Sequence, residues 1–308
     1  MAIASTSRSR VAYISEAAFG TTPATPTFIE MRRTNGNLGT KKSTVKSEQV
    51  TLDRNVRAEY QTAQDVTGSY DFEFSADSLD NLLAGALRAS WATNVLVNGA
   101  AEPSFTFEET IDVTGSNVYQ RYTGCMIDSL SLNIAARRAV TGSVNIVGVQ
   151  QTLATTIITG ATYTAAPTTA IETADKVAAL AIAGINPVPK IKSLSLNIAN
   201  NLRARDKVGS LYADSFGAGT CDVTGTIEAY FESNALLQSV LDHGGGAISF
   251  TLGQVANKKY TFSLPAVTFL DGSRKIGGNN DDVMMSIPFR AVYDATTAGS
   301  IKITRAVA

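Results

Sequence analysis

One unit occurs twice in this chain, and that duplication constrains the fold more than any other feature. Asp65-Val66-Thr67-Gly68-Ser69 leads into the alternating segment Tyr70-Asp71-Phe72-Glu73-Phe74, and leucines follow at 79, 82, 83 and 87. The same order returns 157 residues on: Asp222-Val223-Thr224-Gly225-Thr226, then Ile227-Glu228-Ala229-Tyr230-Phe231, then Leu236, Leu237, Val240 and Leu241. Alternation with period two is the mark of a half-buried strand, and leucines at i, i+3, i+4 and i+8 form one apolar helix face. A strand-plus-helix unit repeated at about half the chain length implies two copies of one domain. Val113-Thr114-Gly115-Ser116 precedes no such strand, so the tripeptide counts only through its placement.

Strands dominate the rest. Thr27 to Met31 reads as a first strand, Ser104 to Glu108 alternates, and residues 128–135 and 140–147 read as a hairpin with Arg137 and Arg138 at its tip. Lys192-Ser193-Leu194-Ser195-Leu196-Asn197-Ile198-Ala199 nearly copies residues 128–135 and reads as the opening of the second domain. Helices are expected over 76–88, capped by Ser75 or Asp77, and over 234–243, stopped by Gly244-Gly245-Gly246. The polar runs 39–64 and 200–220 show little periodicity and read as charged loops. The expected division is an N-terminal arm (1–26), a first β-sandwich (27–150), a Thr/Ala-rich linker (151–170) and a second β-sandwich (171–308). The fold class is mostly β with two short α-helices, one flanking each sandwich.

Composition narrows function by exclusion. With 26 basic and 27 acidic residues, the chain lacks the basic excess of a nucleic-acid-binding surface. Charged residues are 17%, below the usual quarter, and small uncharged residues fill the gap. Such a surface suits a chain largely covered by neighbours, and equally a plain β-protein. Cys125 and Cys221 are too few for a disulfide framework or a four-cysteine zinc site and read as small buried residues. The polar stretch Met1 to Arg10 does not read as a signal peptide, and no apolar run approaches membrane-spanning length. Synthesis in a cytoplasm is expected.

No catalytic set emerges. His243, the single histidine, falls at a predicted helix C-terminus, where positive charge is favoured, and no nucleophile or orienting partner accompanies it. No phosphate-loop or dinucleotide pattern occurs. Asp281-Asp282 lacks the spacing of a calcium loop. Asp71 and Glu73 share one strand face and read as an exposed acidic face. No catalytic, cofactor or metal role is therefore expected. The competing readings are a carbohydrate- or cell-binding β-sandwich module, which the low aromatic content of 7% disfavours, and a hydrolase on a β-scaffold.

The repeated order of strand, charged loop, Val-Thr-Gly strand and helix, with the Ser-Leu-Ser-Leu-Asn-Ile strand leading into Asn200-Asn201-Leu202, resembles the tail tube proteins of long, non-contractile-tailed bacteriophages. The polar N-terminal arm and the Thr/Ala-rich middle fit the same pattern, and the resemblance covers most of the chain. It implies β-sandwiches whose inner sheets join between subunits into a closed barrel, with rings stacked into a tube through which DNA is ejected. The duplication points to rings of three two-domain chains that look six-fold, with hexamers as the alternative. The implied partners are further copies of the chain, the tape-measure protein and DNA in the lumen, and tail terminator and distal tail proteins at the ends. On this resemblance the lumen is lined by Asp71, Glu73, Ser129, Ser131, Ser193, Ser195, Asn197 and Glu228, whose carboxylates and small hydroxyls would let a duplex slide. Ring stacking falls to Lys41, Lys42, Lys46, Arg54, Arg57, Glu59, Arg203, Arg205 and Lys207.

Overall fold

Alternation of buried and solvated side chains sets the architecture. The computed structural model describes residues 3–183, 185 and 189–307. In chain order its elements are β1 (Ser9–Ser15), β2 (Thr27–Glu30), β3 (Asn35–Lys46), β4 (Glu59–Glu73), α1 (Asp80–Ala86), β5 (Val95–Val97), β6 (Phe105–Val113), β7 (Ser116–Ala135), β8 (Thr141–Gly148), β9 (Gln150–Ala154) and β10 (Thr162–Thr164). There follow β11 (Val177–Ile182), β12 (Ile191–Ala199), β13 (Arg203–Arg205), β14 (Ser215–Gly217), β15 (Asp222–Tyr230), α2 (Ala235–Leu241), β16 (Gly245–Leu252), β17 (Lys259–Phe269), β18 (Ser273–Lys275), β19 (Met284–Ala291) and β20 (Lys302–Val307).

One long antiparallel sheet runs through the molecule in the order β3-β4-β8-β7-β12-β15-β19, and the end of β17 together with β18 occupies the outer side of β19. The second four positions repeat the first four: a leading strand (β3, β12), a Val-Thr-Gly strand (β4, β15), a returning strand (β8, β19), and a strand that also reaches the covering layer (β7, and β17 with β18). A second layer covers the apolar face. It reads β10-β2-β1-β6-β7-β9 over one half and β11-β16-β17-β20-β5 over the other. Both β7 and β17 pass from one layer into the other, so each half is sandwich-like.

The core follows from the sequence pattern. Tyr70 and Phe72 of β4 and Phe74 just beyond it, Leu130, Leu132 and Ile134 of β7, Leu194, Leu196 and Ile198 of β12, and Ile227 and Ala229 of β15 are all buried. Each large side chain of this kind contributes about 1.5–3 kcal/mol by leaving water. The halves are also clamped together. The Tyr260 hydroxyl donates to Asp80 Oδ1 at 2.6 Å, Arg305 pairs with the same carboxylate, and its guanidinium lies 4.4 Å from the Trp91 ring centroid.

Several sequence expectations change. The helices are shorter than predicted: residues 75–78 form a turn in which Ser78 Oγ donates to the Ser75 carbonyl at 2.8 Å, and α1 starts at Asp80 with no side-chain cap. Beyond α2 the left-handed residue is His243, with φ of 50°, and not a glycine. Gly245 and Gly246 instead begin β16, where a Cβ would lie 1.8 Å from the Val267 carbonyl oxygen and 2.2 Å from that of Ala183. Residues 39–64 are not a loop. β3 and β4 pair from Asn35↔Asp71 to Lys46↔Glu59, leaving only 47–58 as a tip. Residues 200–220 likewise contain a short hairpin, β13–β14. Within the segment read as an N-terminal arm, β1 buries Val11, Ala12 and Tyr13 between β2 and β6. Within the Thr/Ala-rich stretch, β9 pairs with β7 and β10 pairs in parallel with β2.

Candidate assembly faces

The solvated face of the long sheet gathers all eight side chains predicted for the lumen. Strand register carries the face from one half to the other: Asp71↔Ser143, Ser143↔Ser131, Ser131↔Asn197, Asn197↔Thr224 and Thr224↔Arg290. A second row runs Glu73↔Thr141, Thr141↔Asn133, Asn133↔Ser195 and Ser195↔Thr226, and Ser193 pairs with Glu228. Side chains two apart on a strand point the same way, so Ser129 joins them. The face is therefore built of hydroxyls and amides with scattered carboxylates. Ser193 Oγ donates to Glu228 Oε2 at 2.8 Å, and Asn145 Nδ2 donates to Ser129 Oγ at 2.7 Å. Asp222 is neutralised by Arg290 at 3.0 Å, whereas Asp71, Glu73 and Glu228 form no ion pair among the described residues.

The residues predicted for stacking all lie toward one end of that sheet. β4 begins there, β12 leaves there into β13–β14, and the Gln64 amide donates to the Leu211 carbonyl at 2.8 Å, joining the two hairpins. Phe216 anchors β13–β14 over Met126, with Phe19, Val147, Val149 and Leu202 around them. Lys41, Lys42, Lys46 and Glu59 lie on paired strands, Arg203 and Arg205 on β13, and Arg54, Arg57 and Lys207 in connecting turns. Several of the charges are satisfied within the chain. Arg57 pairs with Asp53 at 2.6 Å, Lys207 with Asp214 at 2.5 Å, and Thr44 Oγ1 donates to Glu59 Oε1 at 2.5 Å. The Asp53 carboxyl is held below the usual carboxylate range by hydrogen bonds from Thr51 and Asn55. What the sequence reading missed is apolar: Val45, Val50, Leu52, Val56 and Tyr60 on the long hairpin are exposed, as is Val208 on the short one. Their signal was single Val and Leu residues within an otherwise polar run.

The two ends of the strand order differ. On β3, the Leu38 amide donates to Glu109 Oε1 at 3.1 Å, and the Leu38 carbonyl accepts from the Tyr122 hydroxyl at 3.0 Å. Side chains of the covering layer thus occupy the outward backbone groups of Leu38 on this edge strand. Glu109 also accepts from Tyr70 at 2.6 Å. Burial, reinforced by this carboxylate, raises the pKa of both Tyr70 and Tyr122. At the other end, β18 carries exposed Arg274, whose guanidinium sits 5.5 Å from the Phe231 ring centroid.

The covering layer has its own buried charge. Glu108 is fully buried and receives Arg121 Nε at 2.7 Å and the Tyr163 hydroxyl at 2.5 Å. Those contacts satisfy it structurally. Among the described residues no group of three or more His, Cys, Asp or Glu is arranged to hold a metal. Burial raises the thiol pKa of Cys125 and of Cys221, leaving neither a ready thiolate.

The chain is mostly β and sandwich-like in each half, with one continuous polar face and a long sheet that ends in two unlike edges. The sequence model of the phage tail tube protein family matches residues 6–291, and the chain belongs to that family. It is a structural tail tube protein of the virion tail, and membership implies self-assembly into a tube. No curated protein matches the chain. No helix among the described residues is long and apolar enough to cross a membrane.

Proposed function

We propose that the chain polymerises as stacked rings into the phage tail tube and that this tube conducts DNA during ejection. The observation that carries the reading is the repeated strand order. β7 of the first half pairs with β12 of the second in a head-to-tail join, leaving a β3 edge at one end and a β17–β18 edge at the other. Repeating that join between chains closes the sheet and removes its edges. The chain then supplies two tube-like units, centred on 27–150 and 171–308, and three chains make a pseudo-six-fold ring. Eight strand positions per chain give about 24 in such a ring. At a spacing of about 4.8 Å and a tilt of about 40°, the barrel is roughly 48 Å across.

The polar face lines the lumen in this reading. Carboxylates and hydroxyls there would not retain phosphates as basic groups do. Both hairpins project from one end of the sheet, which supports head-to-tail stacking of rings into an open filament. The tape-measure protein and DNA occupy the lumen without sequence-specific binding, and terminator and distal tail proteins meet the tube ends. The chain has no catalytic part in this assembly. Negative-stain microscopy of concentrated protein, with mass measurement of isolated rings, tests the reading. Hollow tubes built from three-chain rings support it. Six-chain rings would replace the trimer, and discrete monomers at every concentration would sink the whole reading.

A further inference from the structure

The repeated strand order fixes more than the existence of a join between chains; it fixes the register. Leu38 and Leu196 hold the same place in their halves, each opposite the glycine of its Val-Thr-Gly strand, Gly68 and Gly225. At the other side of each half, Ser131 and Ser273 hold the same place, opposite Ser143 and Ser286 of the returning strands. Ile127 and Phe269, four residues earlier in both cases, are likewise opposite Ile146 and Phe289. The spacing is thus conserved between the two copies on both sides. Within the chain, the join is Ser129↔Ala199, Leu132↔Leu196 and Ile134↔Leu194.

Transferring that join residue by residue to the free edges places Asp271 of one chain opposite Lys41 of the next. It also places Arg274 opposite Leu38, and Ile276 opposite Gly36. The register was set by strand partners alone, yet it puts Asp271 directly against Lys41 and brings Arg274 next to the carboxylate that holds Leu38. Lys41 is exposed and forms no ion pair among the described residues, and Asp271 is exposed as well. Arg274 arrives beside Leu38, whose amide is held by Glu109, a carboxylate that also forms no ion pair among the described residues. Ile276, 66% exposed on the open edge, takes the place of Ile134, which is 8% exposed in the closed join.

We propose that β18 of one chain pairs antiparallel with β3 of a second copy in this register. Asp271 meets Lys41, and the Arg274 backbone displaces the Glu109 and Tyr122 side chains from Leu38. The Arg274 guanidinium takes up the Glu109 carboxylate so released. The side-chain cap on Leu38 protects the edge of the unassembled chain, as edge strands require. Opposite charges directly across an antiparallel pair favour it, and like charges oppose it. The proposal rests on the ring reading above and supplies the contact that closes the ring.

Residues directly opposite in an antiparallel pair have Cα atoms within disulfide range. In a Cys221→Ser background, Lys41→Cys with Asp271→Cys should link chains on oxidation, seen as a ladder on a non-reducing denaturing gel. Gly39→Cys or Ser43→Cys with Asp271→Cys, the same face two residues out of register, should link several-fold less. Independently, Lys41→Asp alone and Asp271→Lys alone should each raise the concentration needed for assembly several-fold, and the double exchange should restore it. Tubes whose chains link at 39 or 43, or do not link, overturn the register and leave the tube reading standing. So does a double exchange that stays as defective as the singles. Unmodified protein that forms neither rings nor tubes overturns both.

Discussion

Leu132 lies directly opposite Leu196 in the antiparallel pair that joins the two halves of the long sheet, and both side chains are buried. Each is the second leucine of its own Ser-Leu-Ser-Leu-Asn-Ile segment, so the pair sits on a local two-fold axis relating the two segments. A methyl-rich contact at the seam of two halves has no room to relax into solvent. Leu196→Ala should destabilise the chain by about 2–5 kcal/mol through lost burial and the cavity left behind. Denaturant unfolding checks this, and a loss below about 1 kcal/mol would show that the seam is not packed as described.

Asp71, Glu73 and Glu228 of the polar face make no ion pair among the described residues, so the fold is expected to tolerate their replacement. Replacing all three with lysine should still permit tubes while slowing or blocking DNA ejection from particles, because a basic wall holds phosphates. Undiminished ejection from particles carrying the triple variant would place these groups away from the DNA path.

Removal of the tip at residues 47–58, with β3 and β4 joined by Asn-Gly, should leave folded rings that no longer stack. An Asn-Gly turn suits a two-residue hairpin, and the paired strands are retained. The exposed Val50, Leu52 and Val56 predict that Leu52→Asp alone weakens stacking, and that stacking of the natural chain persists in high salt. Normal tubes from the tip deletion, counted by microscopy, would rule the hairpin out of the stacking contact.

Alkaline pH should unfold the protein steeply. Tyr13, Tyr70 and Tyr260 have pKa values raised first by burial and then by nearby carboxylates, so the folded state keeps protons that the unfolded chain loses above about pH 10. Stability is complete below that pH and falls as pH rises toward the folded values. Each such tyrosine contributes a slope of up to about 1.4 kcal/mol per pH unit. Melting followed together with tyrosinate absorbance from pH 9 to 12 tests this; absorbance that rises before melting would show the hydroxyls to be accessible.

The Val-Thr-Gly strands, the two helices and the eight-residue polar face were legible because one face of each element is buried and the other wet, which writes the period into the sequence. The β3–β4 hairpin was not. Beyond the sandwich both of its faces are solvated, so no burial asymmetry marks Lys41 to Tyr60 with an alternating pattern. The likeness of the octets 128–135 and 192–199 has a different origin. They are near copies, yet they are not equivalent positions of the two halves: they are neighbours, alike because both are central strands with one core face and one polar face. The Leu38–Glu109 contact joins residues 71 apart in sequence and leaves no local trace.

The pairing of β5 with β20 has a consequence for synthesis. Val97 pairs with Lys302, about 200 residues later. At a translation rate of roughly 5–20 residues per second, β5 waits some 10–40 s on the ribosome for its partner. A nascent chain that stalls in this interval lacks the strand between β17 and β5 and the Arg305 contact to Asp80. Truncated chains should therefore be loose at the junction of their halves, and limited proteolysis should cut them there faster than the full chain.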